Sequence, residues 1–258
     1  MLEITNVRKY FSTPQGRFAA LDDVSLKVRE GEFVSIVGPS GCGKSTLLNI
    51  VAGLDRPDEG EVLLRGQVVR DVSRATGYTF QQSTLLPWRT VRANVGLGLE
   101  LRGVSASERA GMVERLLVQV GLEQFGDVHP YQLSGGMAKR AEIARVLAID
   151  PEILLMDEPF GALDAQTKIA MQNHLLHLLQ NFKKTVLFIT HDLEEALILS
   201  DRVITMRARP GRIRGEHVIP LERPRDARRA RLDRRFPEVL RAIWEDIEPS
   251  GAPAEARA

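Results

Sequence analysis

The chain has 258 residues, of which 43% are hydrophobic, enough to bury the core of one large α/β domain or of a core with a smaller subdomain. Lysine and arginine number 35 against 34 aspartates and glutamates, a formal net charge of +1, which argues against a polyanion such as nucleic acid as the partner. Cys42 is the single cysteine, so an intramolecular disulfide is excluded and a reducing compartment fits. No apolar stretch approaches the roughly 18–20 residues that span a bilayer, and Met1-Leu2-Glu3-Ile4 does not begin a basic and then apolar leader. Any membrane role must therefore come through a partner.

Leu2-Glu3-Ile4-Thr5-Asn6-Val7 alternates with the strand period and Val24-Ser25-Leu26-Lys27-Val28 does so again, which predicts an antiparallel β start with a loop or hairpin at 12–17. Just before that loop, either Tyr10 or Phe11 could offer a flat apolar face to a purine ring. The β-branched run Phe33-Val34-Ser35-Ile36-Val37 leads into Gly38-Pro39-Ser40-Gly41-Cys42-Gly43-Lys44-Ser45-Thr46, and an amphipathic helix follows from Leu47. After a turn at 55–60, strands are predicted at 61–64 and 78–80, the second ending at Gln81.

From Leu85 to about Ile149 the strand signal gives way to helical patterns at 90–101, 107–120 and 134–149, a helical subdomain inserted at about 85–150. Ile153-Leu154-Leu155-Met156 is a buried strand ending at Asp157-Glu158-Pro159. Asp164 caps a helix to about residue 181, and Thr185-Val186-Leu187-Phe188-Ile189 is another strand, ending at Thr190-His191. A strand at 202–206, the turn Arg209-Pro210-Gly211 and a strand around 217–219 come next. A short C-terminal extension, about 220–258, holds an arginine-rich run at 223–235 that reads as solvated surface, and its tail from Gly251 reads as frayed.

The eight residues from Gly38 to Ser45 fit G-x-x-x-x-G-K-[ST] in its required place between strand and helix, with Thr46 directly after them. The glycines let backbone N–H groups turn toward one point, and the helix that starts near Lys44 adds its positive end there, which makes an anion site. Lys44 would reach the β- and γ-phosphates of a nucleotide, and Ser45 would take a place on Mg²⁺. In an open parallel sheet, ligands collect beyond the carboxyl ends of the strands, where Gln81, Asp157, Glu158 and His191 also lie. Asp157 suits the Mg²⁺ side, Glu158 the orientation or deprotonation of an attacking water, and His191 the γ-phosphate. Cys42 reads as a small loop filler.

Gln81, Leu133-Ser134-Gly135-Gly136-Met137, Ile153 to Glu158, Ala162-Leu163-Asp164 and His191, in that order after the phosphate loop, resemble the nucleotide-binding subunit of an ATP-binding cassette transporter over nearly the whole chain. The resemblance implies a single α/β domain over 1–258, a P-loop NTPase with a RecA-like parallel sheet core, an N-terminal antiparallel β part and the inserted helical subdomain. It implies ATP and Mg²⁺ as ligands. Gln81 becomes a Mg²⁺ ligand that senses the membrane partner, Asp164 belongs to the D-loop, and Phe11 rather than Tyr10 is the adenine-stacking ring. Ser134, Gly135 and Gly136 become the signature segment, which closes over the nucleotide of a second, head-to-tail copy. Other implied partners are transmembrane permease subunits and, indirectly, a solute-binding protein, with the chain peripheral at the cytoplasmic face of the inner (cell) membrane. No nucleic acid is expected.

Met137 replaces the glutamine of the commonest signature, and Lys139 lies two residues beyond it. That methionine, Leu85-Leu86-Pro87-Trp88 leading to Asn94-Val95, Arg209-Pro210-Gly211, and Arg223-Pro224-Arg225-Asp226 are similar to importers of the nitrate, sulfonate and taurine type. A cassette ATPase acting on nucleic acid or another macromolecular complex is the alternative. The near-neutral charge weighs against it, as does the short separation of Lys44 from Asp157, about a hundred residues. A small-molecule P-loop kinase leaves Ser134-Gly135-Gly136 unexplained.

Overall fold

The computed structural model describes residues 1–14 and 16–247, so the tail from Gly251 lies outside the described residues. The chain opens with a hairpin of β1 (Leu2–Thr13) and β2 (Gly16–Val28). Both strands run closer to the turn than the alternation predicted, because Tyr10 and Phe11 pair with Ala19 and Phe18 and prolong the ladder. Then come β3 (Phe33–Val37), α1 (Lys44–Val51), β4 (Glu59–Leu64), β5 (Gln67–Val68) and β6 (Thr76–Thr79). A helical block follows, with α2 (Val91–Val95), α3 (Leu97–Leu101), α4 (Ala106–Gln119) and α5 (Gly135–Ala148). Next are β7 (Ile153–Asp157), α6 (Ala165–Phe182), β8 (Thr185–Ile189), α7 (Leu193–Leu199), β9 (Arg202–Arg207) and β10 (Arg212–Val218), and the described chain ends with α8 (Ala227–Ala230) and α9 (Phe236–Ile247).

Six strands form one sheet in the order β10-β9-β3-β8-β7-β6, parallel except for the edge strand β10. Four form an antiparallel sheet, β2-β1-β4-β5. This is the α/β architecture predicted from the sequence. In β8 the side chains of Val186 and Phe188 join a cluster with the helices, while Leu187 and Ile189 join one with α1 and the antiparallel sheet. A strand covered on both faces has no solvent side, so its sequence is a continuous apolar run rather than an alternation.

The predicted helix at 90–101 divides at Gly96 into α2 and α3. Asn94 is fully buried because its side chain holds the preceding loop, accepting from Leu86 N at 2.7 Å and donating to Leu86 O at 3.0 Å. At the other end of the chain, the solvated-surface reading of 223–235 fails at Arg225, which is only 9% exposed. Its guanidinium donates to the carbonyls of Leu221, Leu197, Ile198 and Ser200. Three of these belong to the end of α7, where a helix leaves carbonyls without intrahelical partners. Composition counts a charge but does not show the row of acceptors that takes it inside. Burial lowers this guanidinium to about 10. Arg223 and Arg231 are also engaged, on Asp201 and Glu194. Among the described residues no helix is long and apolar enough to cross a membrane.

Candidate functional site

The phosphate-loop segment leaves β3 and enters α1 at the carboxyl end of the parallel sheet. Gly43 sits at φ 91°, and a Cβ there would lie 2.6 Å from Leu21 Cδ2 and 2.8 Å from Ala20 O, so only glycine fits. Lys44 Nζ donates to the carbonyls of Gly38 at 2.8 Å and Pro39 at 3.1 Å, which bends the long side chain back over the loop. Cys42 is fully buried beneath the loop, and burial pushes its thiol up, consistent with an inert filler.

A second element supports the loop from behind, and sequence reasoning missed it. Gly211, in the turn between β9 and β10, donates its N–H to Ala20 O at 3.1 Å and accepts from Asp22 N at 2.9 Å. A Cβ on Gly211 would come within 2.2 Å of Cys42 O, so strand β2, the phosphate loop and this turn are packed backbone to backbone. Residues 209–211 were legible as a turn, but no local signal says what the turn rests on.

Above the loop is an open cavity of about 460 Å³ whose walls include Phe11, Phe18, Ser40, Gly41, Gly43, Lys44, Ser45, Thr46, Gln81 and Glu158. Phe11 and Phe18 are cross-strand partners and both are partly exposed. Tyr10 is instead covered by Arg17, whose guanidinium carbon lies 3.7 Å from the ring centre. Phe18 was not singled out from the sequence. The available signal was its mirror position to Phe11 across the hairpin turn.

Ser45 Oγ donates to Asp157 Oδ1 at 3.2 Å. Burial raises the Asp157 carboxyl above its ordinary value and the adjacent Glu158 adds to this, while Ser45 and Lys44 pull the other way. Glu158 departs from the strand with φ 43°, a left-handed conformation costing about 1–3 kcal/mol for a non-glycine residue. Its N–H donates to Ile189 O at 2.9 Å. The bend turns its carboxylate toward two neighbours, His191 Nδ1 at 3.0 Å and Gln81 Nε2 at 3.4 Å, both from Oε2. Gln81 thus stands with Glu158 rather than in contact with Ser45 and Asp157. Gly38 and Pro39, together with His191 and Trp244, line an adjoining apolar cavity of about 380 Å³.

Ser134, Gly135, Gly136 and Asp164 are placed elsewhere. Ser134 caps α5, its Oγ accepting from Met137 N at 3.3 Å, and Asp164 caps α6 by accepting from Gln166 N and Thr167 N. The Thr167 side chain first, and then the capping backbone N–H groups of Thr167 and Gln166, hold the Asp164 carboxyl below its usual range. A Cβ on Gly136 would meet Thr167 Cγ2 at 2.7 Å, so the two helix starts are neighbours. They border a cavity of about 300 Å³ that has no lining residue in common with the phosphate-loop cavity. The starts of α1 and α5 therefore line separate cavities of one chain.

The family model described as ABC transporter matches residues 21–161. An uncharacterised ABC transporter ATP-binding protein of Methanocaldococcus jannaschii is 55% identical over 225 residues, covering 87% of this chain and 84% of that protein. The taurine import ATP-binding protein of Jannaschia sp. is 43% identical over 265 residues, covering 100% and 99%, and the nitrate import ATP-binding protein of Synechococcus elongatus is 44% identical over 236 residues, covering 90% and 86%. The solved dimeric structure of a bacterial ABC transporter cassette superposes with a TM-score of 0.76 at 37% identity, over 86% of this chain and all of that one.

Proposed function

Since the chain belongs to the ABC transporter family of ATP-binding proteins, we propose that it is the ATP-hydrolysing subunit of an importer for a small oxyanion or organic acid of the nitrate, sulfonate or taurine type. The observation that carries the hydrolytic part is the Glu158 carboxylate, bent out of β7 into the cavity above the phosphate loop and held there by His191 and Gln81. ATP would stack its base on Phe11 and lay its phosphates on the loop amides and Lys44.

The residues present fit Mg²⁺. Ser45 and Asp157 offer hard oxygen donors, and the half-buried Asp157 carboxylate is an anion whose burial is only partly offset by Ser45 and Lys44. Gln81 Oε1 would be the third protein oxygen. Among the described residues no cluster of three or more acidic, histidine or cysteine side chains could hold a metal alone, so phosphate oxygens and water would complete the shell. Bound there, Mg²⁺ would neutralise charge on the β- and γ-phosphate oxygens.

Glu158 takes the proton of the water whose oxygen attacks the γ-phosphorus, as the bond to the ADP oxygen breaks. His191 orients that carboxylate by donating from Nδ1, and its Nε2 donates to the γ-phosphate only in the imidazolium form. Ser134, Gly135 and Gly136, remote from this cavity in one chain, would present their amides to the γ-phosphate held by a second, head-to-tail copy, with Asp164 beside them. The helical block, where Trp88 and Leu101 are 72% and 79% exposed, would dock on permease subunits at the cytoplasmic face of the membrane, and a solute-binding protein would act on this chain only indirectly, through those subunits.

The test is Glu158→Gln with Mg²⁺ and ATP. Hydrolysis should fall by about 10²–10⁴-fold, and light scattering after gel filtration should find an ATP-dependent dimer. Hydrolysis at the wild-type rate would refute the role given to Glu158.

A further inference from the structure

Lys139, which the sequence sets apart as a departure just past Ser134-Gly135-Gly136, is absorbed by nothing above. Among the described residues it is one of the few buried cations, 7% exposed, and Glu142, one turn further along α5, is 2% exposed. Their charged ends are 2.6 Å apart. Each also reaches out of α5 to one stretch of backbone. Lys139 Nζ donates to the carbonyl of Phe80, the residue before Gln81, at 3.2 Å, and Glu142 Oε1 accepts from Thr84 N at 2.7 Å. Arg145, another turn on, donates to Thr84 O at 2.7 Å. Side chains of α5 therefore hold both ends of the segment that carries Gln81. A buried charged pair is costly unless its partners compensate it; among the described residues Glu142 Oε2 is held only by the ion pair with Lys139, and the hydrogen bonds that the pair does make fix the backbone on both sides of Gln81.

We propose that Lys139 and Glu142 are positioning residues that tie the Gln81 loop to the helix bearing Ser134-Gly135-Gly136, so that the two move as one body during hydrolysis. The pair touches no substrate. It acts through Gln81, which bonds to Glu158 in one site, and through the start of α5, which in the proposed function serves the nucleotide of the second copy. A displacement at 80–84 is then delivered to the far end of α5 instead of being absorbed between them. The inference rests on the proposed function for its catalytic consequence, but the tie itself is a property of the single chain.

The experiment compares the full-length protein with Lys139→Arg and with the double variant Lys139→Met/Glu142→Gln. The double variant removes both charges at similar volume, which is close to neutral for stability, and it keeps an oxygen acceptor for Thr84 N. Single removal of Lys139 would strand a buried carboxylate and is avoided. Four quantities are read: the thermal midpoint, affinity for a fluorescent ATP analogue, kcat and KM for ATP hydrolysis, and amide exchange at 81–84. In the double variant, the midpoint should stay within a few degrees and the analogue affinity within twofold. Its kcat should fall at least tenfold with KM little changed, and exchange at 81–83 should accelerate at least tenfold, residue 84 keeping its acceptor. Lys139→Arg, which preserves the cation and the carbonyl donor, should recover kcat to within threefold of wild type. Wild-type kcat and exchange in the double variant would overturn the proposal, as would a kcat loss matched by an equal loss of ATP affinity. If the wild-type protein hydrolysed no ATP, the proposed function would fail, and the exchange rates alone would decide whether the tie exists.

Discussion

Replacing Gly211 with alanine should damage the phosphate loop from a position that touches no ligand. The added Cβ would sit 2.2 Å from Cys42 O and 2.6 Å from Ala20 O, whereas real Cβ contacts essentially never fall below 3.0 Å. The gap to Cys42 must widen by about 0.8 Å, and both neighbours are backbone, so no side-chain rotation relieves it. Overpacking of this kind costs about 1–3 kcal/mol. The hydrogen bonds joining Gly211 to Ala20 and Asp22 are weakened as the turn is pushed away, at about 0.5–1.5 kcal/mol each. A total of about 2–6 kcal/mol is expected from urea unfolding. Because Cys42 lies inside the loop, part of the shift is transmitted to the amides around Lys44, and a misplacement near 1 Å can cost on the order of 100-fold in rate. Fluorescent-ATP titration and steady-state hydrolysis would accompany the unfolding curve. A stability loss under about 0.5 kcal/mol with unchanged nucleotide affinity would refute the reasoning, since overpacking cannot be free.

Phe11→Ala should weaken nucleotide binding by about 1–3 kcal/mol, the usual worth of a base stacked on an aromatic ring. Phe18→Ala should cost a smaller part of that and Tyr10→Ala almost nothing, with fluorescence titration of the three variants deciding the order. Arg225→Met should lower stability by about 2–4 kcal/mol in urea, because it strands buried carbonyls at the end of α7, and should leave ATP affinity within twofold. Asp157→Asn should raise the thermal midpoint of the nucleotide-free chain near pH 7 while abolishing Mg²⁺-dependent hydrolysis. The sign follows from linkage. A carboxyl raised in the folded state makes the native protein bind more protons than the unfolded one, so the wild type gains stability as pH falls from above that raised value, and the advantage of asparagine should shrink in the same direction.

Local features were legible and long-range backings were not. The residues of the phosphate loop, and the strand ends at Gln81, Asp157, Glu158 and His191, could be placed because each follows within a few residues of an apolar run whose end the sequence marks. Phe18 and Gly211 could not. Their significance arises from what lies across a hairpin or from a turn packed against a loop nearly 170 residues away in the chain, and neither contact leaves a periodic trace. Arg225 misled for a different reason. A run of arginines carries the same composition whether its members face water or satisfy the carbonyls of a helix end. Lys139 was visible only as a departure from a pattern, and its partners on Phe80 and Glu142 appear when α5 is laid against the loop after β6.

The separation of the two cavities has a consequence for inheritance. In the proposed head-to-tail pair, each site would take its phosphate loop from one copy and its Ser134-Gly135-Gly136 wall from the other, so a lesion in either half would disable one site wherever the defective copy is present. When a copy defective at Lys44 pairs with one defective at Ser134, both lesions fall into the same site in one arrangement, and the other site receives two sound walls. Two recessive-looking alleles of one gene could therefore complement within a single mixed dimer, while two alleles in the same half could not.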